Sequence, residues 1–346
     1  MKRTFRAWAI VVMAALALGV AACGDDDDGG GGGGGGGEAQ GEAIKAGVVT
    51  DIGGLNDRSF NFLANKGLED AEKQLGVDGR VLISKSNSDY VPNLTQLAQQ
   101  QYDLIVPVGF LMADATNTVA TKVPNAKFAI VDFSASALKD KPKNVQGLLF
   151  KEQEAGYLVG YLAGLWAKDN GAKTISSVGG QKIPPVDHYI AGYQAGAKAA
   201  YPGIETLNGY SQNFVDQAPC KELALDQISK GSKVVFQVAG QCGLGALDAA
   251  KEKGVQGIGV DADQGYLGPH VLTSALKKVD VAVLGAIKRA QDGSFKGGTD
   301  VVASVKNGGV GIGKLSAEGQ QYADQINEIQ DKIADGKIKD IPDTVQ

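Results

Sequence analysis

Acidic and small polar residues recur directly after short apolar segments of this chain. Each apolar segment has the length and character of a β-strand, and in an open parallel sheet ligands bind beyond the carboxyl ends of the strands. Carboxylates placed there accept charge-assisted hydrogen bonds, and glycines let the backbone approach a ligand closely. These positions predict a binding site for a small polar molecule. The residues that occupy them are Asp51, Asn56, Asp57, Gly109, Phe110, Asp132, Gly240 and Asp261.

Metal, nucleotide and nucleophile chemistry have little support in the sequence. Two histidines and three cysteines are few for a His/Cys metal site, so we expect no metal and no cofactor. Residues 308–314 have the glycine–lysine spacing of a phosphate-binding loop, but Leu315 stands where Ser or Thr is required. His188 and His270 lie in no nucleophile-elbow or zinc-binding pattern. We therefore predict no catalytic residue, and a Ser–His–Asp group assembled in space is the alternative.

The elements that must position these residues alternate between strand and helix patterns. Short apolar strands followed by amphipathic helices predict an α/β fold, with parallel sheets that helices cover on both faces. The pattern runs in two series that meet near residue 150, so we predict two doubly wound lobes. The first is expected to comprise residues 44–150 plus about 262–292, and the second residues 151–261 plus about 293–346.

The chain begins with the pattern of a signal peptide. Lys2, Arg3 and Arg6 form a basic start, and residues 7–22 are an uninterrupted small and apolar run. Sixteen residues are short for a membrane-spanning helix, which needs about 20, but are typical of a signal peptide core. We therefore predict a signal peptide over residues 1–22, with an uncleaved membrane anchor as the alternative.

A lipidation site and a spacer follow the predicted signal peptide. Residues 20–24 (VAACG) resemble a bacterial lipobox, which makes Cys23 the expected site of lipidation. Residues 23–43 are rich in Asp and Gly and are expected to form a flexible linker. A calcium site is not expected, because the aspartates at 25–28 are adjacent and lack the alternating spacing of a calcium loop. The rest of the chain is then predicted to lie outside the cytoplasmic membrane, anchored to it by lipid.

Composition limits the partners of the folded part. The 346 residues include 34 Lys+Arg and 39 Asp+Glu, and removal of the predicted signal peptide makes the net charge of −5 more negative. Without a basic stripe, a nucleic-acid polymer is not an expected partner. A hydrophobic fraction of 43% supports packed cores, and the length allows two ordinary domains.

An ordered set of motifs over residues 44–342 resembles the basic membrane protein (BMP) family, the purine nucleoside receptor-like substrate-binding lipoproteins of ABC transporters. The opening motif is residues 50–61 (TDIGGLNDRSFN). No single motif is specific, whereas the ordered set behind a lipobox is. The later motifs are residues 179–180 (GG), 183–184 (IP), 192–196 (GYQAG), 239–245 (AGQCGLG), 259–264 (GVDADQ), 272–277 (LTSALK) and 333–338 (IADGKI).

The resemblance implies a fold and a function. The family has the type I periplasmic-binding-protein fold, in which two lobes close on a ligand in the cleft between them. It implies a lipid-anchored, extracytoplasmic binding protein of an ABC importer that is not an enzyme. Its ligand is expected to be a nucleoside, with purine nucleosides favoured, delivered by a monomer to a membrane permease. Alternatives are a sugar or signalling molecule on the same fold, an extracellular hydrolase, and a surface antigen or receptor with a vestigial cleft.

The resemblance also implies roles for side chains. Phe60 and Tyr189 are expected to stack on a base from the two lobes, although the family more commonly has phenylalanine at the second position. Asp132 resembles the carboxylate that contacts the base edge, and Asp261 and Lys277 resemble the pair that holds the ribose. Carboxylates suit vicinal hydroxyls, and aromatic faces suit flat bases.

Each of these residues also has a purely structural interpretation. The alternative for Phe60, Phe110 and Tyr189 is a place in the hydrophobic core. The alternative for Lys277 is a place on the solvated surface. Asp51, Asn56 and Asp57 shape the first loop, where the alternative is capping of the first helix.

Cys220 and Cys242 are predicted to form a disulfide. Cys220 begins a predicted helix and Cys242 follows the next strand, and both places lie at the same edge of the sheet in a βαβ unit. An exported protein occupies a compartment in which disulfides form. Two buried free thiols are the alternative.

Overall fold

The computed structural model describes residues 43–345. The first half of this range consists of alternating strands and helices. Apolar strands and amphipathic helices alternate as predicted. Glycines and short polar turns separate them. In chain order the elements are β1 (Lys45–Val49), α1 (Phe60–Leu75), β2 (Asp78–Leu82), α2 (Tyr90–Gln99), β3 (Leu104–Pro107), α3 (Ala113–Lys122), β4 (Lys127–Val131) and β5 (Val145–Phe150).

The second half repeats the alternation and ends in two short strands and a polar helix. Its elements are α4 (Glu152–Asp169), β6 (Thr174–Gly179), α5 (Pro184–Ala200), β7 (Glu205–Tyr210), α6 (Gln217–Ser229), β8 (Ser232–Val238), α7 (Gly240–Glu252), β9 (Gln256–Asp261), β10 (Val271–Lys277), α8 (Val279–Gln291), β11 (Asp300–Ala303), β12 (Val310–Ile312) and α9 (Ala323–Ala334).

The strands form two six-stranded sheets, one in each lobe. The first has the order β11-β5-β4-β3-β1-β2 and is parallel throughout. The second has the order β12-β10-β9-β8-β6-β7, and only β12 runs antiparallel. Neighbouring residues of one strand pack on opposite faces: Val48 lies in the apolar cluster of α1 and α8, and Val49 in that of α2 and α3. The predicted α/β class with two doubly wound lobes is confirmed.

The predicted lobe boundaries need correction in the C-terminal region. We expected residues 262–292 in the first lobe, but β10 pairs with β9 in the second sheet, and only α8 packs on the first lobe. We expected residues 293–346 in the second lobe, but β11 pairs with β5 in the first sheet. Periodicity identifies a strand without naming its neighbour, because pairing depends on contacts distant in sequence.

The chain therefore crosses between the lobes three times. The crossings lie between β5 and α4, between β10 and α8, and between β11 and β12. They run side by side, because Lys151 N–H donates to Ala303 O and Lys278 N–H donates to Gly309 O, each at 2.9 Å. In proteins whose lobes close on a ligand, segments that cross between the lobes commonly serve as the hinge.

Helices α4 and α5 pack with their backbones in close contact. Gly156, Gly160 and Gly164 recur every fourth residue on α4 and lie against the backbone of α5, and Gly192 and Gly196 of α5 lie against the backbone of α4. A Cβ at position 160 would lie 2.0 Å from the carbonyl oxygen of Tyr193. No side chain fits between two backbones at that distance, so the glycines fix how the two helices meet.

Within residues 43–345 no helix is long and apolar enough to cross a membrane. The predicted signal peptide at residues 1–22, Cys23 and all but the last residue of the predicted linker lie outside the described residues.

Gly160→Ala is expected to lower the free energy of unfolding by about 1–3 kcal/mol, because the new methyl group must push two backbones apart. Thermal or urea unfolding measures the change. Gly285→Ala on α8 is the matched control: the new methyl group meets only the end of the Arg289 side chain, at 3.2 Å. Since alanine favours the helix over glycine, this control is expected to gain up to about 1 kcal/mol. Equal losses in the two variants would contradict the close-packing argument.

Candidate ligand-binding site

A cavity lies between the lobes, at the carboxyl ends of β1, β4, β8 and β9. Its walls include ten of the eleven residues predicted to bind a ligand, from both lobes. The exception is Asn56, which is exposed and lies outside the lining. The ten are Asp51, Asp57, Phe60, Gly109, Phe110, Asp132, Tyr189, Gly240, Asp261 and Lys277.

Several lining residues were not predicted, and most of these are apolar. Phe214 is the aromatic one, and it lies in the loop between β7 and α6. Phe214 comes four residues after β7, so the expectation that ligand-binding residues follow strands applies to it as well. The residues missed are Ile52, Asn61, Ile183, Pro185, Val186, Phe214, Val238, Gln241 and Val260.

Lys277 is the cation at the centre of the site. Its side chain is 2% exposed, and its Nζ lies 2.7 Å from Asp132 Oδ2 and 2.8 Å from Glu152 Oε1. Asp132 follows β4 in the first lobe, Lys277 ends β10 in the second sheet, and Glu152 begins α4 just after the first crossing. The ion cluster therefore joins the two lobes beside the crossings. Glu152 was not predicted from the sequence.

One lysine cannot fully compensate two buried carboxylates. Burial alone would lower the pKa of Lys277, but Asp132 and Glu152 raise it above its ordinary value. Burial works to raise the pKa of Glu152, but Lys277 and His188 bring it below the ordinary value. For Asp132 burial prevails over Lys277 and raises the pKa to about 7. Glu152 keeps its charge mainly because of Lys277, and His188 Nδ1, 3.1 Å from Glu152 Oε2, adds to this effect.

Asp132 has an oxygen that the described protein leaves unused. Oδ2 accepts from Lys277, while Oδ1 is buried without a hydrogen-bond partner among the described residues. Asp132 also has a φ of 67°, in the left-handed region that non-glycine residues rarely adopt. Such strain concentrates at functional sites. A buried, unpaired carboxylate oxygen in the wall of a cavity is a ready acceptor for a ligand O–H or N–H group.

Asp261 connects the lobes by a second polar contact. Its Oδ2 accepts a 2.7 Å hydrogen bond from Ser59 Oγ of the first lobe, and its Oδ1 accepts one of 3.3 Å from the Tyr189 hydroxyl. Burial raises the pKa of Asp261, against the opposing effect of Lys277. Like Asp132, it has a positive φ, here 60°.

Tyr189 lines the cavity and also packs in the core, and Lys277 Nζ lies 5.9 Å from its ring centroid. The residue is 2% exposed, and its ring meets Phe236 edge-on at a centroid distance of 6.1 Å. Its hydroxyl points to Asp261 and its ring belongs to the core. The geometry thus favours the core alternative for the ring and gives the hydroxyl a role in holding Asp261.

Phe60 and Phe214 are the half-buried rings that face the cavity from opposite lobes. Phe60 begins α1 in the first lobe, and Lys277 Nζ lies 5.2 Å from its ring centroid, within cation–π range. Phe214 belongs to the second lobe. Phe110 also lines the cavity and packs on Phe133 at a centroid distance of 5.2 Å.

Asp51 and Asp57 hold the first loop in different ways. Asp51 Oδ1 accepts from the Tyr90 hydroxyl and from Ile52 N–H, and burial raises the pKa of Asp51 to about 6. Asp57 accepts three backbone N–H bonds at the start of α1, and burial raises its pKa to about 6 as well. Both oxygens of Asp57 are used by the helix start, so the capping alternative fits this residue. A Cβ at Gly109 would lie 2.6 Å from Asp51 Oδ2, so glycine is needed there.

The structure joins Cys220 and Cys242 in a disulfide at the edge of the second lobe. Ser211 Oγ lies 3.3 Å from the sulfur of Cys220 and 3.4 Å from that of Cys242. Cys242 N–H donates to Phe214 O at 3.2 Å. The disulfide thus supports the loop that carries Phe214. Elsewhere among residues 43–345, no cluster of His, Cys, Asp or Glu is arranged to hold a metal ion.

Comparison with known proteins identifies the family. The model of the Bmp family, described as "ABC transporter substrate-binding protein PnrA-like", matches residues 44–344. A lipoprotein of Pyrococcus horikoshii is 38% identical over 319 residues, which cover 88% of this chain and 76% of the relative. The ABC transporter nucleoside-binding protein BmpA of Lactococcus lactis is 36% identical over 317 residues, covering 85% of this chain and 88% of the relative.

A solved structure agrees with the fold. The crystal structure of an ABC transporter solute-binding protein from Aeropyrum pernix has a TM-score of 0.78 and 30% identity, covering 86% of this chain and 94% of that one. The predicted type I periplasmic-binding-protein fold is confirmed, and the family is one of binding proteins rather than enzymes. The chain belongs to the Bmp family of ABC transporter substrate-binding proteins.

Proposed function

We propose that this protein is a monomeric, lipid-anchored binding protein outside the cytoplasmic membrane that binds a nucleoside and delivers it to the permease of an ABC importer. The observation that carries the proposal is the pairing, in one cleft, of two aromatic side chains from opposite lobes with a buried carboxylate–lysine cluster. A nucleoside has a flat base and vicinal hydroxyls, which match these two features. The relative from Lactococcus lactis carries the name of a nucleoside-binding protein.

The ribose is assigned to the end of the cleft that holds Lys277. Asp132 and Asp261 flank the lysine, and Asp132 Oδ1 is free to accept a hydroxyl proton. The family resemblance implied that Asp132 contacts the edge of the base, whereas we propose that it contacts the ribose. The 2.7 Å ion pair supports the change, because it holds the Asp132 carboxylate against the lysine.

The base is assigned to the space between Phe60 and Phe214, with Asp51 at its edge. Asp51 Oδ1 already accepts two hydrogen bonds, whereas no described residue donates to Oδ2, which faces Gly109. One free carboxylate oxygen selects a base with an N–H donor on its edge. Purine bases that carry a ring N–H or an amino group meet this requirement, and so do cytosine and uracil. We favour purines because the family resemblance implies purine nucleosides.

The charge of the cleft favours neutral ligands. Four carboxylates and one lysine line it among the described residues, so a phosphate group would meet net negative charge.

Ligand that touches both lobes stabilises their closed arrangement, because only there are all its contacts made. The closed protein would then dock on the permease.

Thermal melts with a panel of small molecules test this function. The purified protein, unfolded and refolded to remove carried-over ligand, is heated with adenosine, guanosine, inosine, cytidine, uridine, ribose, glucose and free bases. A ligand at about 100 times its dissociation constant adds about 2.7 kcal/mol of stability. Purine nucleosides are expected to raise the melting temperature, and ribose and free bases are not. A rise with sugars alone would replace the nucleoside by a sugar, and no rise at all would favour the antigen or receptor alternative.

Removal of either aromatic face should weaken nucleoside binding selectively. Phe60→Ala and Phe214→Ala are each expected to lower affinity by about five- to 150-fold, the range that corresponds to about 1–3 kcal/mol of base stacking. Phe62→Ala is the matched control, since this ring lies on the same helix as Phe60, is 44% exposed and is absent from the cavity wall. Calorimetric titration measures the affinities. Unchanged binding in Phe214→Ala would remove that ring from the base site.

Binding is expected to weaken about tenfold as the pH falls from 8 to 6. The pKa of Asp132 is raised to about 7, and Lys277, Glu152 and Asp261 are the charged groups that face it. Above that pKa the carboxylate is ionised and accepts a hydrogen bond from a ligand hydroxyl. Below it a proton must first leave, so affinity drops as the pH decreases.

Titrations at several pH values with Asp132→Asn give the decisive comparison. This variant is expected to bind more weakly at pH 8 and to lose most of the pH dependence. A small remainder near pH 6 is expected from Asp51, whose pKa burial raises to about 6. His188→Gln is the control, because Glu152 raises the pKa of His188 against the opposing effect of burial, and the imidazole contacts the same ion cluster. Loss of the pH dependence in His188→Gln, with retention in Asp132→Asn, would assign the effect to the histidine instead.

A further inference from the structure

Gly180 directly follows β6, and its backbone is fixed on both sides. Its N–H donates to Val238 O, and its carbonyl accepts from Gln212 N–H, both at 2.9 Å. Gly180 is not among the glycines with positive φ, so a residue with a side chain could adopt the same backbone conformation. Glycine is therefore needed here for space and not for conformation.

The ring of Phe214 occupies that space. A Cβ at position 180 would lie 2.1 Å from Cε1 and 2.4 Å from Cδ1 of Phe214, far inside van der Waals contact. Phe214 lines the cleft, whereas Gly180 does not. The ring thus separates Gly180 from the cleft and rests one edge on the glycine backbone.

The backbone of the Phe214 loop is held in place from its other side. Phe214 O accepts from Cys242 N–H, and Cys242 is joined to Cys220. Asn213 Oδ1 accepts from the next two backbone N–H groups, those of Val215 and Asp216, at 2.8 and 2.9 Å. With the loop anchored, a side chain at position 180 would displace the ring toward the cleft.

We infer that Gly180 is a positioning residue for ligand recognition: by lacking a side chain, it lets the ring of Phe214 lie back against the sheet edge and present its face to the base. This inference rests on the proposed nucleoside-binding function. The residue at position 180 then sets the gap between Phe214 and Phe60, and so decides whether a flat ring fits between them. The end of the cleft around Lys277 is not affected.

A double-mutant cycle tests the inference, with affinity for inosine and adenosine measured by calorimetric titration. Gly180→Ala is expected to bind about tenfold or more weakly than the unmodified protein. In a Phe214→Ala background the same change is expected to cost nothing further, because the displaced ring is gone. Gly311→Ala is the matched control, since a Cβ there meets no atom within 4 Å and its φ is also not positive. It is expected to leave affinity unchanged.

Melting temperatures of the same four proteins without added nucleoside give a second, independent cycle. Gly180→Ala should lower the melting temperature when Phe214 is present and not when it is replaced by alanine. Equal loss of affinity from Gly180→Ala in both backgrounds, or no loss in either, would overturn the inference while the proposed function stands. If the unmodified protein binds no nucleoside, the proposed function fails, and the inferred role in base recognition fails with it. The melting cycle then still decides whether residue 180 acts through Phe214.

Discussion

The buried lysine between two carboxylates is the interaction on which the rest of this structure depends. Removing three charged groups from water costs several kcal/mol for each ion, and only close geometry offsets that cost. Lys277 achieves it with two contacts of 2.7 and 2.8 Å from groups that belong to different parts of the fold. Since Asp132 lies in the first lobe and Lys277 in the second sheet, the cluster fixes where the lobes meet and therefore where the cleft lies.

The close, glycine-lined contact between α4 and α5 positions the side chains of this cluster. Glu152 is the first residue of α4, and His188 and Tyr189 lie in the first turns of α5. Because the two backbones touch, Glu152 lies within hydrogen-bond distance of His188, and the Tyr189 hydroxyl reaches Asp261. Packing of the two helices thus contributes, together with Lys277, to which carboxylate keeps its charge. Glu152 does so, and Asp132 is the one that titrates near neutral pH.

The sequence predicted those parts of the site that follow a simple geometric rule. Asp51, Asp132 and Asp261 come directly after apolar strands, and all three line the cavity. Glu152 was missed because a carboxylate at a helix start is a common feature, and its partner Lys277 lies 125 positions away in sequence. The sheet membership of β10 and β11 was missed for the same reason, since only spatial neighbours determine it.

Tyr189 and Phe214 show a second limit of prediction from the sequence. Both are aromatic residues of the second lobe, and residue type does not distinguish them. The difference arises from what surrounds each ring: Tyr189 packs edge-on against Phe236, whereas Phe214 lies on a glycine and faces the cavity. In the proposed mode of binding, recognition of a base thus depends on the absent side chain at Gly180 as much as on the ring itself.

The free oxygen of Asp132 links ligand binding to movement of the lobes. A buried acceptor without a donor is unfavourable, and a ligand hydroxyl that donates to it removes that penalty. The same ligand can reach Lys277 and Asp261 of the second lobe only when the lobes are together. In the proposed mode of binding, the contacts of one ribose are therefore shared between two lobes joined by three adjacent crossings. The closed arrangement would then be stabilised when the ligand donates the hydrogen bond that Asp132 Oδ1 lacks among the described residues.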